Sequence, residues 1–323
     1  MKPMMTAPEA PPIHIQQIGE AVIGRLTPGR RGRVLAVVSN AIYLYSSPED
    51  VFWLATKRIP MHRRGMRISG PLPGTEIDSP FHVLGQRLVL GSKVVLDFSQ
   101  ALVWKFDPPA AEEVIAITDL AERVYSVYSI LCELLPPVGF GSLIPEILPI
   151  ARNHGAPRLP RKSAGIPARA WPAIREITQA CLDHEFPRIL EQADSLIGLG
   201  EGLTPSGDDF IGGLLFCSTQ LRHSYPAMDC SDLCKDFNVM ENEPRTNIVS
   251  YTMLKDHAEG HAVDTLHRFI HAVLTGRPMD AVYGIASELT QIGHSTGWDL
   301  LAGVLTGMLL AFRVGEPACI RLE

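Results

Sequence analysis

The sequence predicts an α+β protein in which a small strand-rich domain precedes a larger helical domain. Residues 15–106 contain short β-branched or aromatic runs separated by Gly, Pro, Asn or Ser, a pattern typical of short strands joined by tight turns. From about residue 112 onward, the apolar residues recur with helical spacing. Between these parts, the segment Phe106–Ala111 contains two adjacent prolines and indicates a domain boundary.

The first domain, residues 15–107, is predicted to be a small barrel or sandwich. Five or six short strands with tight turns favour either architecture. The predicted strands are Val34–Val38, Ala41–Tyr45, Val51–Leu54, Arg87–Leu90 and Val94–Phe98. Residues 1–14 lack the apolar run of a signal peptide, so we expect a disordered tail there.

The second domain, residues 112–323, is predicted to be mostly helical. Its predicted helices are Glu112–Leu135, Trp171–Ile197, Asp209–Arg222, Asn247–Leu274, Met279–Ile292 and Asp299–Arg313. The segment Asn153–Pro172 is rich in Pro, Gly, Arg and Lys, and it predicts a long loop.

The composition excludes several classes of protein. With 46% hydrophobic and 20% charged residues, a chain of 323 residues can bury a sizeable core. A net charge of −6 argues against a nucleic-acid partner, and no stretch reaches the roughly 20 apolar residues that span a bilayer. We therefore expect a cytoplasmic protein. The six cysteines are scattered and predict reduced thiols, and the pair Cys230 and Cys234 lacks a second pair to form a zinc site.

The segment Gly198–Phe210 is the first candidate site. It holds four glycines, two hydroxyl residues, a proline and two adjacent carboxylates, and it runs directly into an apolar helix. Glycines let main-chain amides approach a ligand, and the first N–H groups of a helix lack intrahelical acceptors. Either Thr204 caps the helix with Pro205 in the first helical position, or Ser206 caps it with Asp209 three residues on. Capping alone explains neither the earlier glycines nor the paired carboxylates.

A second segment, Gly293–Asp299, has the same pattern of residues. Both segments give a hydroxyl, Gly, any residue, Asp, three spacers, Gly, one spacer and Leu. We therefore expect two glycine-rich helix starts of one design that face each other across one pocket, with helices that pack closely at their glycines. The matched positions are Ser206/Thr296, Gly207/Gly297, Asp209/Asp299, Gly213/Gly303 and Leu215/Leu305.

These two helix starts favour an anionic ligand, but the carboxylates oppose it. Free amides at a helix start attract phosphate or carboxylate groups, whereas Asp208, Asp209 and Asp299 repel them. Two resolutions stay open: a divalent metal bridges the carboxylates and the anion, or the ligand carries N–H donors as well as negative charge. His294 is a candidate acid–base group because histidine titrates near neutrality, and a capping or packing role is the alternative.

These two segments resemble the signature of a known bacterial family. Gly-Leu-Thr-Pro-Ser-x-Asp-Asp (residues 202–209) and Gly-His-Ser/Thr-x-Gly-x-Asp (residues 293–299) are similar to motifs of the AllH family, long without an assigned function. Its named member is a subunit of oxamate carbamoyltransferase in anaerobic allantoin breakdown. Val249, Ser250 and Gly260 lie in the register expected from the resemblance, whereas the N-terminal third matches only in general character.

The resemblance implies a transferase subunit that handles a small amide-bearing anion in allantoin and purine nitrogen catabolism. Oxalurate and phosphate would give oxamate and carbamoyl phosphate, in a complex with two other types of subunit. Mg²⁺ is the one cofactor left open, and no metal ligands are assigned. The implied catalytic residues are Asp208, Asp209, His294 and Asp299. The implied substrate-binding residues are Gly200, Gly202, Thr204, Ser206, Gly207, Ser250, Ser295, Thr296 and Gly297.

Other readings stay open at this point. A non-catalytic accessory or small-anion-binding subunit is the alternative to an enzyme, and a metal-dependent hydrolase that uses the carboxylates and His294 is a third possibility. The pairs His257/His261 and His267/His271 have the spacing of zinc ligands on one helix face, although a solvated or packed face explains them as well. Arginines are candidates to clamp a carboxylate. They are Arg30, Arg31, Arg33, Arg63, Arg64 and Arg67 in the strand domain and Arg158, Arg161, Lys162 and Arg169 in the long loop.

Overall fold

The computed structural model describes residues 11–47, 50–107, 113–134, 137–151, 164–226, 228, 233–234, 237 and 245–312. The chain divides between Phe106 and Asp107 into an N-terminal and a C-terminal compact unit. Among the described helices, none is both long enough and apolar enough to cross a membrane. Arg158, Arg161, Lys162 and Cys230 lie outside the described residues.

The N-terminal unit is a closed β-barrel. Its elements are β1 (Ile13–Gly19), α1 (Glu20–Ile23), β2 (Arg31–Val38), β3 (Ala41–Tyr45), β4 (Val51–Thr56), β5 (Gly65–Ile68), β6 (Pro80–Leu84), β7 (Arg87–Leu90), β8 (Val94–Asp97) and β9 (Leu102–Trp104). The strands follow the order β5-β4-β3-β2-β6-β7-β8-β1, and β1 also pairs with β5, which closes the ring. β9 pairs with the C-terminal residues of β1, Gln17–Gly19. The prediction of an α+β protein is confirmed, and of the two architectures considered, the barrel is the observed one.

Several strands of the barrel that carry polar residues were not among the predicted strands. β5 contains Arg67, which pairs in register with Gln17 of β1 and donates to its side-chain oxygen at 2.8 Å. β6 begins with a proline, which is compatible with the first position of a strand. The tail prediction was too long, because Ile13 and His14 already belong to β1, where they pair with Leu96 and Asp97. The barrel interior is filled by apolar side chains such as Ile18, Leu44, Leu54 and Met66.

The C-terminal unit is helical. Its helices are α2 (Ile117–Leu131), a 3₁₀ turn (Gly139–Leu143), α3 (Ile144–Ala151), α4 (Gly165–Asp183), α5 (Phe186–Asp194), α6 (Ser206–Ser224), α7 (Ile248–Ala258), α8 (Asp264–Leu274), α9 (Met279–Leu289), α10 (Thr296–Met308) and a final 3₁₀ turn (Leu309–Ala311). Two predicted helices are each split in two. The first breaks at His184, with φ of 56°, and the second at Gly260, with φ of 84°, because both residues adopt the left-handed conformation that ends a helix.

Helices α6 and α10 cross in the centre of this unit so closely that their backbones are in contact. A Cβ atom at Gly213 would lie 2.3 Å from the Leu300 carbonyl oxygen, and one at Gly303 would lie 2.0 Å from the Phe210 carbonyl oxygen. Both helices are buried on all sides over most of their length, as expected for a central pair. The predicted close packing at these glycines is confirmed.

A methyl group added at this crossing should destabilise the fold. We expect Gly303→Ala to lower the free energy of unfolding by about 1–3 kcal/mol, because the carbonyl it would strike belongs to a rigid helix. The matched control is Gly284→Ala in α9, where no described atom lies within 4 Å of the new methyl group. That change should stabilise the protein by up to about 1 kcal/mol through helix propensity. Urea unfolding of both variants measures the difference, and equal effects would contradict the close crossing.

Candidate functional site

The loop before α6 depends on glycine at several positions. Gly198, Gly200 and Gly202 have φ values of +73°, +137° and +93°, which L-residues with a side chain rarely adopt. A Cβ atom at Gly200 would also lie 2.6 Å from the Ser206 backbone nitrogen. The loop therefore folds back onto the first turn of α6, and this placement requires the glycines that capping did not explain.

Neither predicted cap of α6 is formed. The N-cap is Pro205, and it provides no side-chain capping bond; the N-cap of α10, Ser295, makes none either among the described contacts. The hydroxyls instead connect the two helix starts. Thr204 Oγ1 lies 3.0 Å from Thr296 Oγ1, and the Oγ atoms of Ser206 and Ser295 are 3.5 Å apart. These hydroxyl residues form a half-buried group between the two helices, which we call the hydroxyl cluster (Thr204, Ser206, Ser295 and Thr296).

The similarity of the two segments extends backward into the preceding helices. The N–H of Leu199 donates to Leu196 at 3.0 Å, and the N–H of Ile292 donates to Leu289 in the same way at 3.1 Å. The α5–loop–α6 and α9–loop–α10 units therefore have equivalent turns, and the distance from Gly293 to Gly297 is three residues shorter than that from Gly200 to Gly207. Equivalent positions before the loops are Ile189/Val282, Ala193/Ala286, Leu196/Leu289, Leu199/Ile292 and Gly200/Gly293.

Gly207 and Gly297 have equivalent steric roles in the two repeats. A Cβ atom at either glycine would lie 1.9 Å from a carbonyl oxygen at the end of the preceding helical segment. Their N–H groups also donate within the chain, Gly207 to the Leu199 carbonyl at 2.8 Å and Gly297 to the Ile292 carbonyl at 3.1 Å. Because both amides already have acceptors, any ligand at the helix starts must use other donors.

Asp208 is buried, and its carboxylate accepts three hydrogen bonds from the glycine loop and the start of α7. Its Oδ1 accepts from the Gly198 N–H at 2.6 Å, and its Oδ2 accepts from the Ser250 hydroxyl at 2.6 Å and from the Thr246 hydroxyl. These bonds connect the glycine loop and the start of α7 to α6. Ser250, itself 1% exposed, therefore supports Asp208 from behind the loop. This arrangement gives Asp208 and Ser250 positioning contacts, and their predicted roles in catalysis and substrate binding stay untested.

Asp209 faces the start of the other repeat. The hydroxyls of Thr204 and Thr296 lower the pKa of its carboxyl group, and its Oδ2 has no hydrogen-bond partner among the described residues. Burial raises the pKa of Asp209 well above its usual value, and the charge of Asp299 raises it further. Burial therefore favours the protonated form of this carboxyl group.

Asp299 faces the start of α6 in the reciprocal way. Its Oδ1 accepts from the Phe140 N–H at 2.6 Å, and the hydroxyls of Ser206 and Ser295 are further donors that lower the pKa of the carboxyl group. Its Oδ2 has no partner in the described part of the chain. Burial raises the pKa of Asp299 to about 6, while these donors and the charge of His294 oppose the rise. Asp299 is therefore mostly ionised at neutral pH.

The 3₁₀ turn that holds Asp299 was not predicted. Gly139 has a φ of +54°, and a Cβ atom there would lie 2.3 Å from Asp299 Oδ1, so only glycine lets the turn approach the carboxylate. The signal in the sequence is Gly139-Phe-Gly141, two glycines around an aromatic residue. It was overlooked because its target lies 159 residues further along the chain.

The candidate histidines and cysteines lie at several different positions in the helical unit. His294 is exposed on the loop before α10. His257 and His267 are buried on different helices, and burial lowers their pKa values to about 4 and about 3. Within the described residues, no group of three or more His, Cys, Asp or Glu side chains could hold a metal ion. Among the described residues, Cys132, Cys181, Cys217 and Cys234 form no disulfide bond.

The candidate arginines make different contacts from one another. Arg30 forms an ion pair with Asp50, and Arg33 forms one with Asp78, both within the barrel unit. Arg67 donates to the Ile59 carbonyl oxygen at 3.1 Å. Arg169 lies exposed on α4.

Together, the fold and the site define an α+β protein whose helical unit brings two repeated, hydroxyl-bearing helix starts together over a pair of buried carboxyl groups. Residues 196–308, about a third of the chain, match the model of the family described as oxamate carbamoyltransferase subunit AllH. The resemblance found in the motifs is thereby confirmed for this range, which contains both helix starts. The match leaves out the barrel and the 3₁₀ turn at Gly139. No solved structure matches the chain.

Removing the Asp208 carboxylate should destabilise the protein. Asp208→Ala leaves the Gly198 N–H and the hydroxyls of Thr246 and Ser250 without their acceptor. We expect a loss of about 1–3 kcal/mol in the free energy of unfolding, measured by urea denaturation. The control is Asp194→Ala, which removes an exposed ion pair with Arg245 and should cost about 0–1 kcal/mol. Equal losses would show that the bonds of Asp208 contribute little.

The buried carboxyl pair should make the protein less stable as the pH rises. The pKa of Asp299, about 6, lies above its ordinary value of 3.8, so the native state binds more protons than the unfolded state between these values. The free energy of unfolding therefore falls as the pH rises through this window. The raised pKa of Asp209 acts in the same direction.

Neutralising Asp299 should remove that part of the pH dependence. We expect Asp299→Asn to raise the free energy of unfolding at about pH 7 by about 1–3 kcal/mol, and to change it little near pH 4. Denaturant unfolding at the two pH values provides the measurement. A variant that is less stable than the wild type at neutral pH would mean that a partner stabilises the charged form.

Proposed function

We propose that this chain is a subunit of a carbamoyltransferase that resembles oxamate carbamoyltransferase, and that the hydroxyl cluster binds its small amide-bearing substrate. The observation that carries the proposal is the pair of unpartnered carboxyl oxygens, on Asp209 and Asp299, behind hydroxyls that join two helix starts. Such a site offers donors and acceptors together, as an amide-bearing anion requires. Both helix starts also lie within the range that matches the family model.

The proposed reaction is the transfer of a carbamoyl group from oxalurate to phosphate. A phosphate oxygen attacks the carbamoyl carbon, the bond from that carbon to the oxamate nitrogen breaks, and the phosphate proton ends on that nitrogen. The products are oxamate and carbamoyl phosphate, and the total charge is unchanged. In this proposal, His294 moves the proton, because it is the exposed titratable group next to Ser295. Other subunits complete the assembly, as the family description implies.

The site combines positive helix ends with a negative carboxylate, and this combination suits such a substrate. The helix dipoles of α6 and α10, together with first-turn N–H groups other than those of Gly207 and Gly297, favour the anionic oxygens of the ligand. Asp299, ionised at neutral pH, favours an N–H donor. A simple dianion would gain from the first feature and lose from the second, so an anion that also bears an amide fits better.

An accessory role is the second candidate function. The unpartnered oxygens of Asp209 and Asp299 are buried, so the reactive carboxyl groups lie behind the hydroxyls and away from the surface. This burial favours a subunit that binds and orients the ligand while a partner subunit supplies the reacting groups. Both functions use the same ligand site, and they differ in whether this chain alone accelerates the reaction.

A ligand panel on the purified full chain tests the shared part of both functions. We expect oxamate and oxalurate to raise the melting temperature, and expect Thr296→Val to weaken their binding at least tenfold in calorimetry, because it removes one hydroxyl of the cluster. The control is Thr275→Val, whose hydroxyl donates to the His271 carbonyl at 2.8 Å at the end of α8. Carbamoyl phosphate and phosphate complete the panel, each with and without Mg²⁺.

The outcomes separate the alternatives. Binding that Thr296→Val weakens and Thr275→Val leaves intact places the ligand at the hydroxyl cluster. A strict requirement for Mg²⁺ would favour the cation-bridged alternative. Equal binding by both variants would place the ligand elsewhere, and no binding of any ligand would contradict the proposal for the isolated chain.

A further inference from the structure

We propose that the outer face of the barrel binds a phosphate-bearing small molecule in a groove on strands β2, β3 and β6. The groove has a volume of about 700 Å³ and is open to solvent. It belongs to the N-terminal unit, whereas the hydroxyl cluster belongs to the C-terminal unit, so the inference does not rest on the proposed function. We call it the arginine groove, after the polar residues that line it, which are Arg31, Arg33, Tyr45, Ser46 and His82.

The barrel unit is basic although the whole chain is acidic. Residues 1–106 contain 13 Lys and Arg against 7 Asp and Glu, which gives this unit a formal charge of +6. Residues 107–323 contain 16 Lys and Arg against 28 Asp and Glu, so they carry −12, and the whole chain carries −6. A unit with excess positive charge attracts anions to its surface. The net charge of the chain therefore conceals a basic module.

The register of three strands brings the polar side chains of the groove to one face. Arg31 and Arg33 are two residues apart on β2, so both point to the same side of the sheet. Arg31 pairs with His82 of β6, and Arg33 pairs with Tyr45 of β3. Directly opposed residues of antiparallel strands have Cβ atoms about 4.5–5.5 Å apart. Two guanidinium groups, an imidazole ring and a phenol therefore lie side by side.

Gly32 lies between the two arginines and lets the neighbouring strands approach β2. A Cβ atom there would lie 2.2 Å from the Tyr45 carbonyl oxygen and 2.5 Å from the ring of Phe81. The hydroxyl of Ser46 donates to the Arg31 carbonyl oxygen at 2.6 Å, on the same side of β2 as Tyr45. These contacts hold the end of β3 against β2, so the barrel itself fixes the base of the groove.

Arg33 is already bound within the barrel unit. It forms an ion pair with Asp78, and its guanidinium carbon lies 5.5 Å from the centre of the Tyr45 ring. The first contact balances the charge of Arg33, and both contacts orient its guanidinium group. Arg33 therefore contributes an oriented set of N–H donors to the groove but little net charge.

Arg31 contributes the uncompensated charge. Its guanidinium group makes no hydrogen bond or ion pair with any other described residue, and the ring of His82 has no partner there either. Among the described residues that line the groove, none is Asp or Glu. The groove therefore offers N–H and O–H donors and a positive charge without a carboxylate that would repel an anion.

This set of donors fits a phosphate group better than a carboxylate group. A phosphate monoester has three terminal oxygens, so two can bind the forked guanidinium of Arg31 while the third accepts from His82 or Tyr45. A carboxylate has only two oxygens, which one arginine fork already occupies. The groove is also larger than a phosphate group, and Pro80 and the Tyr45 ring offer apolar contact to the rest of the ligand. The ligand class is therefore a phosphate monoester with a small apolar body.

Calorimetric titration of the full chain with phenyl phosphate tests the inference. Benzoate is the comparison ligand, because it has the same ring and carries a carboxylate in the place of the phosphate. In a buffer of about 0.15 M salt, where distant surface charges are screened, we expect phenyl phosphate to bind tighter than benzoate by about tenfold or more. Inorganic phosphate should bind about threefold more weakly than phenyl phosphate, because it lacks the apolar body.

Variants of the unpaired arginine locate the ligand. We expect Arg31→Gln to weaken the binding of phenyl phosphate about tenfold or more, and Arg31→Lys, which keeps the charge without the fork, to weaken it about threefold. Both variants should keep the wild-type melting temperature, because the Arg31 side chain is exposed. The matched control is Arg58→Gln, which removes another exposed arginine of the barrel unit outside the groove and should change binding less than about twofold.

The contrary outcomes are distinct from one another. Equal weakening by Arg31→Gln and Arg58→Gln would mean that the general charge of the barrel attracts the anion, and equal binding of benzoate would mean that the groove does not select phosphate. If Thr296→Val abolishes the binding of phenyl phosphate, the ligand lies at the hydroxyl cluster. A single-stranded RNA that binds more tightly than phenyl phosphate would identify a nucleic-acid surface instead. Each of these results, or no binding of phenyl phosphate at all, would overturn the inference.

Discussion

The close crossing of α6 and α10 is the constraint on which the rest of the site depends. Gly213 and Gly303 each meet a carbonyl oxygen of the opposite helix, so the two backbones touch without side chains between them. This contact brings the two helix starts together at one place, and the hydroxyls of the cluster then meet across the gap. It also buries Asp209 and Asp299 against each other's helix, where water cannot solvate two charges. The raised pKa values of both carboxyl groups are therefore a consequence of helix packing.

The repeat explains why the site has two halves, and the additions to the repeat explain why the halves differ. Both carboxyl groups arise at equivalent positions of equivalent helices. The first repeat adds a longer glycine loop, from which the Gly198 N–H donates to Asp208, and the position equivalent to Asp208 is Trp298 in the second. The second repeat adds the Phe140 N–H from the 3₁₀ turn, which donates to Asp299. The two halves are therefore similar in sequence but differ in their hydrogen-bond partners.

The sequence predicts local secondary structure of this protein well, but it predicts poorly the contacts between residues that lie far apart in the chain. Strands β3 and β7 lie within their predicted bounds, because alternating apolar runs and turn residues are local signals. The two capping predictions for α6 were wrong because the hydroxyls of Thr204 and Ser206 found partners about 90 residues away on α10, and these partners compete with the cap. The role of Phe140 could not be predicted either, because its acceptor is known only once the chain has folded. The paired glycines and carboxylates could be predicted, since the repeat places them in two copies.

Burial of an acid pair without a countercharge is costly, so a use for it must offset the cost. A pair kept only for packing would be better served by two asparagines or apolar residues, which fill the same space with no charge to desolvate. Asp208 shows the contrast, because its three donors satisfy its carboxylate within the fold. Asp209 and Asp299 each retain an oxygen without a hydrogen-bond partner among the described residues. These two unsatisfied carboxyl oxygens are the reason for proposing a ligand at the helix starts, because a bound ligand would complete their hydrogen bonds.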